Sequence, residues 1–395
     1  MITIILLIVI YLAFISLGLP DALLGVAWPQ IRAEWALGLD AAGIISIVIT
    51  GGTIASSLLS GKLIKRFGEG KITLMSGMMT GLALLGYGFA PSFLWFILLA
   101  LPLGFGAGSV DTALNHYVAT HFKAHHMNWL HSFWGVGATA GPILMGIVLA
   151  TTGSWRNGYL AVAGIQLVLA LIIFLTLPLW RLHGAQNIAD AERAVADIGT
   201  TPSEEDVKPL KKPGVIFALL VFMAYCSGEY AMGLWGASYL VQVRGVAVEA
   251  AANGVAAYYG GITIGRFLAG FLSFKLNNRQ MIGLGLSLAT CGGFAMLLMP
   301  VSGLIMLAFV LVGLGFAPIF PAMVHETPKR FGKAAAQSII GYQMAAAYVG
   351  IAVFPPLFGV IMKQYGLSLF PYFILMCVGF QIWATLQLNR TRESE

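Results

Sequence analysis

The chain has 395 residues, of which 58% are hydrophobic and only 10% are charged. Soluble domains carry about a quarter charged residues and need a largely polar exterior. Together with a mean hydropathy of +0.86, these values exclude a soluble enzyme, a disordered chain and a disulfide scaffold, and they indicate a polytopic membrane protein. The net charge of +6 has an ordinary source in basic cytoplasmic loops, so no nucleic-acid partner is predicted.

Twelve stretches are apolar enough, and at about 20 residues long enough, to cross a bilayer. In chain order they lie at roughly 3–30, 41–61, 72–90, 93–119, 127–150, 159–179, 214–241, 250–274, 281–299, 303–325, 337–362 and 368–388. They must be helices, because a backbone in hydrocarbon has to satisfy its own hydrogen bonds, and a barrel would show short alternating strands instead. We therefore predict an all-α membrane protein of twelve transmembrane helices.

Basic residues set the predicted orientation. Seventeen of the 22 lysines and arginines fall in segments that are cytoplasmic if both termini are cytoplasmic, four fall on the other side, and Arg266 lies within a span. Because cytoplasmic loops carry the excess of Lys and Arg, the pattern predicts a multi-pass protein of the cytoplasmic membrane with both termini inside.

A polar, charged segment at 180–213 separates two sets of six spans. We predict an N-terminal six-helix bundle at 1–179, a cytoplasmic linker at 180–213, with a short surface helix near 186–198, and a C-terminal six-helix bundle at 214–395. The halves resemble each other at offsets of 208 to 213 residues. The matches pair 20–25 with 228–233, Gly61 with Gly270, Gly104 with Gly313, and Gly137 with Gly350. Parallel six-helix repeats are a transporter design, with the substrate site near the bilayer midplane.

Four ionisable side chains fall inside spans: Asp21, Asp111, Glu229 and Arg266. Such groups cost several kcal/mol in a bilayer and are usually functional. Asp21 follows Pro20, which should kink the first span and suits a cavity wall, although the carboxylate could instead bond freed backbone groups. Glu229 is the repeat partner of Asp21, and it is interpreted either as a substrate ligand or as an acid paired across the bundle.

Asp111 and Asn115 are four residues apart and share a helix face. His131 in the next span has a similar depth, so Asp111 and His131 are predicted to form a proton relay, with a histidine bonded to a carbonyl as the alternative. Arg266 lies about two turns from the cytoplasmic end of its span, where it either snorkels to the surface or pairs with an acid at an inner gate. No metal site is expected from the histidine run after span four, and the three cysteines are interpreted as core residues.

These features resemble the major facilitator superfamily over the whole chain. Its signature after span two reads roughly G-x-L-x-D-R-x-G-R-K, and Gly61, Leu63, Arg66 and Gly68 match it, whereas Lys65 stands where the family has an acid. The resemblance implies the major facilitator fold, with two pseudo-symmetric six-helix bundles, and gating roles for Lys65 and Arg66, although Lys65 cannot make the family's gate interaction through an acid. Arg266 is predicted as a third gating residue from its own position near the cytoplasmic end of its span.

Several stretches also resemble the fucose–proton symporter group, which includes sodium-coupled glucose carriers. They are Asp21, Asp111, Asn128-Trp129-Leu130-His131-Ser132-Phe133-Trp134-Gly135-Val136-Gly137, Gly228-Glu229-Tyr230 with Gly233 and Trp235, and Gly313-Leu314-Gly315-Phe316-Ala317-Pro318-Ile319-Phe320-Pro321. The resemblance implies that Asp21 and Asp111 take part in proton coupling and sugar binding.

A sugar presents hydroxyl groups and an apolar ring face, which polar and aromatic side chains can match. The predicted hydroxyl ligands are Asp21, Asn115, Glu229 and Gln343. Trp134 and Trp235 are predicted to cover the ring face, as is Trp28 to a lesser extent, although tryptophans also gather in interfacial belts.

The sequence therefore predicts a secondary active transporter that moves a small polar solute, foremost a sugar, by ion-coupled symport with alternating access. Asp21, Asp111, His131 and Glu229 are the predicted proton-coupling residues, with H⁺ as the ion and Na⁺ as the alternative. We expect a monomer in the bilayer without cofactor or metal, and no enzyme activity, since no catalytic motif is present. The alternatives are a proton-driven exporter of drugs or metabolites, supported by Gly137-x3-Gly141-Pro142, and a membrane receptor or lipid-modifying enzyme.

Overall fold

The computed structural model describes residues 2–122, 124–195, 209–298 and 302–393. Within these ranges the chain is helical, with no strand and with two short 3-10 turns at Pro209–Lys211 and Leu367–Leu369. The helices of the first part are α1 (Ile2–Gly18), α2 (Leu23–Glu34), α3 (Ala41–Phe67), α4 (Glu69–Gly88), α5 (Phe93–His121), α6 (Ala124–Thr152) and α7 (Trp155–Val195). The helices of the second part are α8 (Val215–Gln242), α9 (Val248–Leu272), α10 (Asn278–Leu298), α11 (Ser302–Phe316), α12 (Ile319–Phe331), α13 (Lys333–Tyr365) and α14 (Phe370–Glu393). The all-α prediction is confirmed.

Eleven helical segments of the described chain are long and apolar enough to span a membrane. The predicted span that is missing from these eleven is the third, 72–90. It forms the 20-residue helix α4, which is rich in glycine, serine and threonine. These small residues let α4 pack closely against its neighbours: a β-carbon on Gly81 would press on Leu167 of α7, and one on Gly106 of α5 would press on Ser76 and Thr80.

Two predicted spans are broken helices. The first consists of α1 and α2, separated by turns at residues 19–22, as expected from the missing N–H group of Pro20. The tenth consists of α11 and α12, separated by a turn at residues 317–318. This second break was not predicted, although Pro318 carries the same signal.

Contacts divide the chain into two compact units. Unit 1 is Met1–Asp21, Val48–Ala138 and Ser154–Ser203, and unit 2 is Ala22–Ile47, Thr139–Gly153 and Glu204–Glu395. Two segments from the first half of the sequence, Ala22–Ile47 and Thr139–Gly153, therefore belong to the same unit as the second half. The predicted bundles at 1–179 and 214–395 and the linker at 180–213 stay predictions, and α7 continues to Val195, into the predicted linker.

In unit 1, α1 packs through Leu6, Ile10 and Phe14 into an apolar core that α5, α6 and α7 complete. In unit 2, α8 is the central helix, and α2, α9, α13 and α14 pack around it. A β-carbon on Gly25 of α2 would overlap the carbonyl oxygen of Gly233 in α8, so glycine at position 25 is what lets these two backbones touch.

Large apolar side chains also project outward from both units. Leu58, Phe274 and Leu298 are 79%, 87% and 77% exposed, respectively. Such surfaces are unstable in water, and they fit a protein whose solvent is the bilayer.

Candidate functional site

The break in the first span positions Asp21. The carboxylate lies in the turn between α1 and α2 and is exposed. The indole Nε1 of Trp134 in α6 donates a hydrogen bond of 2.6 Å to its Oδ2 atom. Two residues predicted separately as substrate ligands are therefore brought together in unit 1.

Trp134 reaches Asp21 because α1 and α6 cross at two glycines. A β-carbon on Gly18 would overlap the carbonyl oxygen of Trp134, and one on Gly137 would overlap the carbonyl oxygen of Ile15. Larger residues would separate the two helices and lengthen the Asp21–Trp134 contact.

Gln166 of α7 supports the same break and was missed by the sequence analysis. Its Nε2 atom donates a 2.6 Å hydrogen bond to the carbonyl oxygen of Ser16, and the Ser16 hydroxyl donates to Gln166 Oε1 at 2.5 Å. In an unbroken helix the Ser16 carbonyl would accept from the N–H of residue 20, which is proline and has none. Gln166 thus satisfies the acceptor that Pro20 leaves open.

Asp111 pairs along its own helix. The Nδ2 atom of Asn115 lies 2.9 Å from both Asp111 Oδ1 and the Asp111 carbonyl oxygen. His131 is half-buried in α6, with its ring edge-to-face against Phe14 at a centroid distance of 5.7 Å. The predicted proton relay between Asp111 and His131 stays a prediction.

The histidines of the run after span four contact several partners. His126 and the hydroxyl of Tyr11 are 2.7 Å apart, and Tyr11 also stacks on Phe133 at 4.6 Å. His121 bonds to the carbonyl of Tyr117 at 3.0 Å. Among the described residues, no group of three His, Cys, Asp or Glu side chains could hold a metal ion.

Glu229 and Arg266 form an ion pair in unit 2. The Nη2 atom of Arg266 in α9 lies 3.5 Å from Oε1 of Glu229 in α8, and the two side chains are only 14% and 16% exposed. The hydroxyl of Tyr258 donates to the Glu229 carbonyl at 3.2 Å. The buried Tyr225 ring places its hydroxyl within electrostatic range of both charges. The sequence left snorkelling and pairing open for Arg266, and the structure pairs it with Glu229.

Three other predicted ligands are packed inside unit 2. Trp235 is fully buried, and its indole nitrogen donates to the Pro355 carbonyl of α13 at 3.0 Å. Gln343 is also fully buried and accepts a 3.1 Å hydrogen bond from Thr327. Trp28 of α2 is buried as well. In this conformation these side chains serve helix packing, and their substrate roles stay predictions.

Lys65 and Arg66, the predicted gating residues of the signature, lie exposed in the last turn of α3. The Arg66 guanidinium lies over the ring of Phe67 at 5.3 Å. Gly68 follows with a φ of +79°, a backbone conformation that favours glycine, and it allows the sharp turn into α4.

Two equivalent contacts, one in each repeat, follow the internal symmetry of the sequence. The sequence analysis missed both of them. Nδ1 of His116 in α5 lies 3.0 Å from Oε1 of Glu69, the first residue of α4. Nδ1 of His325 in α12 lies 3.1 Å from Nδ2 of Asn278, the first residue of α10. Both partners are shifted by 209 residues, the offset at which the glycine motifs repeat, so a search at that offset would have found them.

Comparisons with known proteins agree with this architecture. The family model described as Major Facilitator Superfamily matches residues 10–355. The chain is 22% identical over 388 residues to "Membrane protein MosC" of Rhizobium meliloti, covering 96% of this chain and 89% of that protein. It is 25% identical over 281 residues to the "Cis,cis-muconate transport protein" of Acinetobacter baylyi, covering 70% and 67%.

Among solved structures, the D-xylose-proton symporter superimposes with a TM-score of 0.70 at 15% identity, covering 96% of this chain and 97% of that one. At that identity the likeness concerns the fold alone. The family match, the helical architecture and the intramembrane charges lead to one conclusion: the chain belongs to the Major Facilitator Superfamily, as a multi-pass membrane transporter of small solutes.

Proposed function

We propose that this transporter takes up a small polar solute, foremost a sugar, by proton-coupled symport with alternating access. It acts in the cytoplasmic membrane with both termini inside. A proton binds an intramembrane carboxylate and favours substrate loading, and the change of access then carries both inward. Coupling requires that proton and solute favour the same state, which makes the linkage reciprocal.

The observation that carries the proposal is the contact between Asp21 and Trp134. A carboxylate accepts hydrogen bonds from sugar hydroxyls, and an indole covers the apolar face of a sugar ring. The two groups lie 2.6 Å apart at an intramembrane helix break, with Asp21 exposed. Broken helices at the midplane are where transporters of this architecture bind solutes.

A proton as the coupling ion is supported by the hydrogen bond that Asp21 accepts from Trp134, which is a neutral donor. An indole N–H bonds a carboxylate more strongly than a carboxylic acid, and it tolerates both forms. Proton uptake at Asp21 therefore removes a costly charge from the membrane without stranding an opposite charge on Trp134.

Uptake into proteoliposomes tests the proposal. Labelled hexoses and pentoses are offered with an inward pH gradient, with an inward Na⁺ gradient, or with neither. We expect accumulation with the pH gradient, and Asp21→Asn should lose accumulation while retaining solute exchange. Accumulation driven by Na⁺ alone would reject the proton, and efflux against the gradient in inverted vesicles would favour the exporter.

A small organic acid is the second candidate substrate. The favouring observation is Arg266, an intramembrane guanidinium, together with similarity to a protein named for cis,cis-muconate transport. Guanidinium groups bind carboxylates bidentately, so an acid could take the place of Glu229 on Arg266. Inhibition of uptake by muconate but not by hexoses would select this candidate.

A further inference from the structure

Two glutamines occupy equivalent places in the two repeats. Gln166 of α7 and Gln381 of α14 each follow a glycine by two positions, and they are 215 residues apart, which is also the distance between the first residues of the two helices. Their side chains are buried, at 3% and 0% exposure. Because a buried amide needs hydrogen-bond partners, above all inside a membrane, the repeat indicates the same task for both glutamines.

The partners of the two glutamines differ in this conformation. Gln166 donates to the Ser16 carbonyl and accepts from the Ser16 hydroxyl, and it thereby satisfies the carbonyl that Pro20 leaves without a donor. Gln381 donates through Nε2 to the carbonyl of Cys377, on its own helix, at 3.3 Å. Its Oε1 atom accepts no hydrogen bond from the residues that the structure describes. Gln381 is therefore a buried amide that bonds no other helix within the described chain.

The packing of α8 against α14 shows which backbone group Gln381 faces. The two helices are antiparallel, since a β-carbon on the glycine before α8 would press on Thr391, and one on Gly228 would lie 3.4 Å from Cβ of Cys377. Residues four apart share a helix face. One turn towards the start of α8 and the end of α14 therefore places Ala224 opposite Gln381.

The helix α8 is continuous at this place but is built to open. Gly228 stands where the first repeat has Pro20, at an offset of 208 residues, and its N–H group keeps the Ala224 carbonyl bonded within the helix. Glycine is nevertheless a poor helix former. The Ser227 hydroxyl donates to the carbonyl one turn earlier at 2.6 Å, which is a bond that favours helix bending. If α8 opens at Gly228, the carbonyl that it frees is the one opposite Gln381.

We propose that α8 opens at Gly228 during the change of access, and that Gln381 is the positioning residue that then bonds the freed Ala224 carbonyl. The arrangement is a reversible counterpart of the break in the first span, where Gln166 bonds the Ser16 carbonyl. This inference rests on the proposed alternating access, but it does not depend on the identity of the solute or of the coupling ion.

Proline substitution tests the contact without any solute. Gly228→Pro removes the N–H group that bonds the Ala224 carbonyl, and the protein should still fold because Gln381 supplies a donor. The double variant Gly228→Pro/Gln381→Leu should have a Tm about 2 °C or more below the value expected from the two single changes, because the carbonyl then has no donor. The matched control is Gly228→Ala, which adds a β-carbon but keeps the N–H group, and it should combine additively with Gln381→Leu.

The single changes at the two glutamines should differ in sign. Gln166→Leu should lower Tm, because both polar ends of that amide are bonded to Ser16. Gln381→Leu should leave Tm unchanged or raise it, because it removes an unsatisfied buried oxygen from the continuous helix. Additive Tm values for Gly228→Pro and Gln381→Leu, or unfolding of Gly228→Pro where Gly228→Ala folds, would overturn the inference.

Hydrogen–deuterium exchange tests whether α8 opens in the wild-type protein. The amides of residues 224–232 should exchange faster than those of residues 233–241, and Gln381→Leu should slow the first set roughly 2- to 13-fold, as expected for the loss of one hydrogen bond from the open state. The same variant should lower the maximal transport rate without changing the half-saturating solute concentration. Equal exchange in wild type and Gln381→Leu contradicts the inference. If the wild-type protein transports no sugar, the proposed substrate fails, whereas the Tm and exchange results still decide the role of Gln381.

Discussion

The ammonium group of Lys363 lies 3.0 and 3.1 Å from the two carboxylate oxygens of Asp40, although 323 residues separate them in the chain. Asp40 precedes α3, and Lys363 lies in the last turn of α13. A β-carbon on Gly38 would press on Asp40 Oδ1 and on the end of the Lys363 side chain, and Gly43 packs against Pro356. Within unit 2, the segment at residues 38–43 therefore packs against α13 and is bound to it by this ion pair. The contact lies on the side of the membrane that is predicted to be outside.

We predict that breaking this ion pair loosens the outer end of unit 2. Exposed ion pairs contribute about 0.2–1 kcal/mol, so Asp40→Asn or Lys363→Gln should raise the open population roughly 1.5- to 5-fold. The measurement is the rate at which an impermeant thiol reagent labels Ala252→Cys, a buried position against Gly146, in a background without native cysteines. The charge-reversed variant Asp40→Lys/Lys363→Asp should label at the wild-type rate. If all variants are labelled at the same rate, the ion pair between Asp40 and Lys363 does not restrain the outer end of unit 2.

The close approach of α2 and α8 gives a second prediction. Gly25→Ala places a methyl group on the Gly233 carbonyl, and overpacking of this kind costs about 1–3 kcal/mol. We expect a lower Tm and slower transport. The matched control is Gly51→Ala in α3, where a β-carbon meets no atom within 4 Å and alanine should leave Tm unchanged or slightly higher. If Gly25→Ala and Gly51→Ala have the same effect on Tm and on transport, the close contact of α2 with α8 is not required for either.

The features predicted correctly from sequence are those that depend on local chemistry. The length of the apolar runs predicted the helices. Pro20 predicted the break between α1 and α2, because the missing N–H group of a proline affects its own helix. Pro318 carries the same signal, but the break there was not predicted. The partner of each polar group depends instead on which helices become neighbours, so a proline indicates an open carbonyl at Ser16 without naming Gln166 as its donor.

The ion pair of Glu229 with Arg266 illustrates the same limit. Each residue stood out alone as an intramembrane charge, but their pairing required the contact of α8 with α9. Position along the spans predicts a similar depth for Asp111 and His131. The contacts of each side chain also depend on how its helix is rotated, and Asp111 bonds to Asn115 on its own helix. The offset between the repeats predicts some of these contacts, because a contact in one repeat indicates the equivalent contact in the other. Glu69–His116 and Asn278–His325 are such a pair.

Replacement of Trp134 is expected to weaken solute binding. Trp134→Phe keeps an aromatic ring but removes the N–H group that bonds Asp21, so we predict a rise of up to about 10-fold in the half-saturating solute concentration, with a smaller change in maximal rate. The matched control is Trp95→Phe in α5, a side chain that is 48% exposed and faces outward. A Trp134→Phe variant with wild-type affinity would remove the indole from the proposed site.

The last prediction concerns how α7 supports the break in the first span. Gln166→Leu leaves the Ser16 carbonyl buried without a donor, which should cost about 1–3 kcal/mol of unfolding free energy, whereas Gln364→Leu at an exposed position in α13 should change it by less than about 0.5 kcal/mol. Pro20→Ala restores an N–H four residues after Ser16. In the Gln166→Leu background it should therefore recover about 1 kcal/mol, while in the wild-type background it should recover less, because Gln166 already occupies that carbonyl. Thermal unfolding of the four combinations measures the coupling. Strict additivity would show that Gln166 and Pro20 act independently, and that the open carbonyl is satisfied in another way.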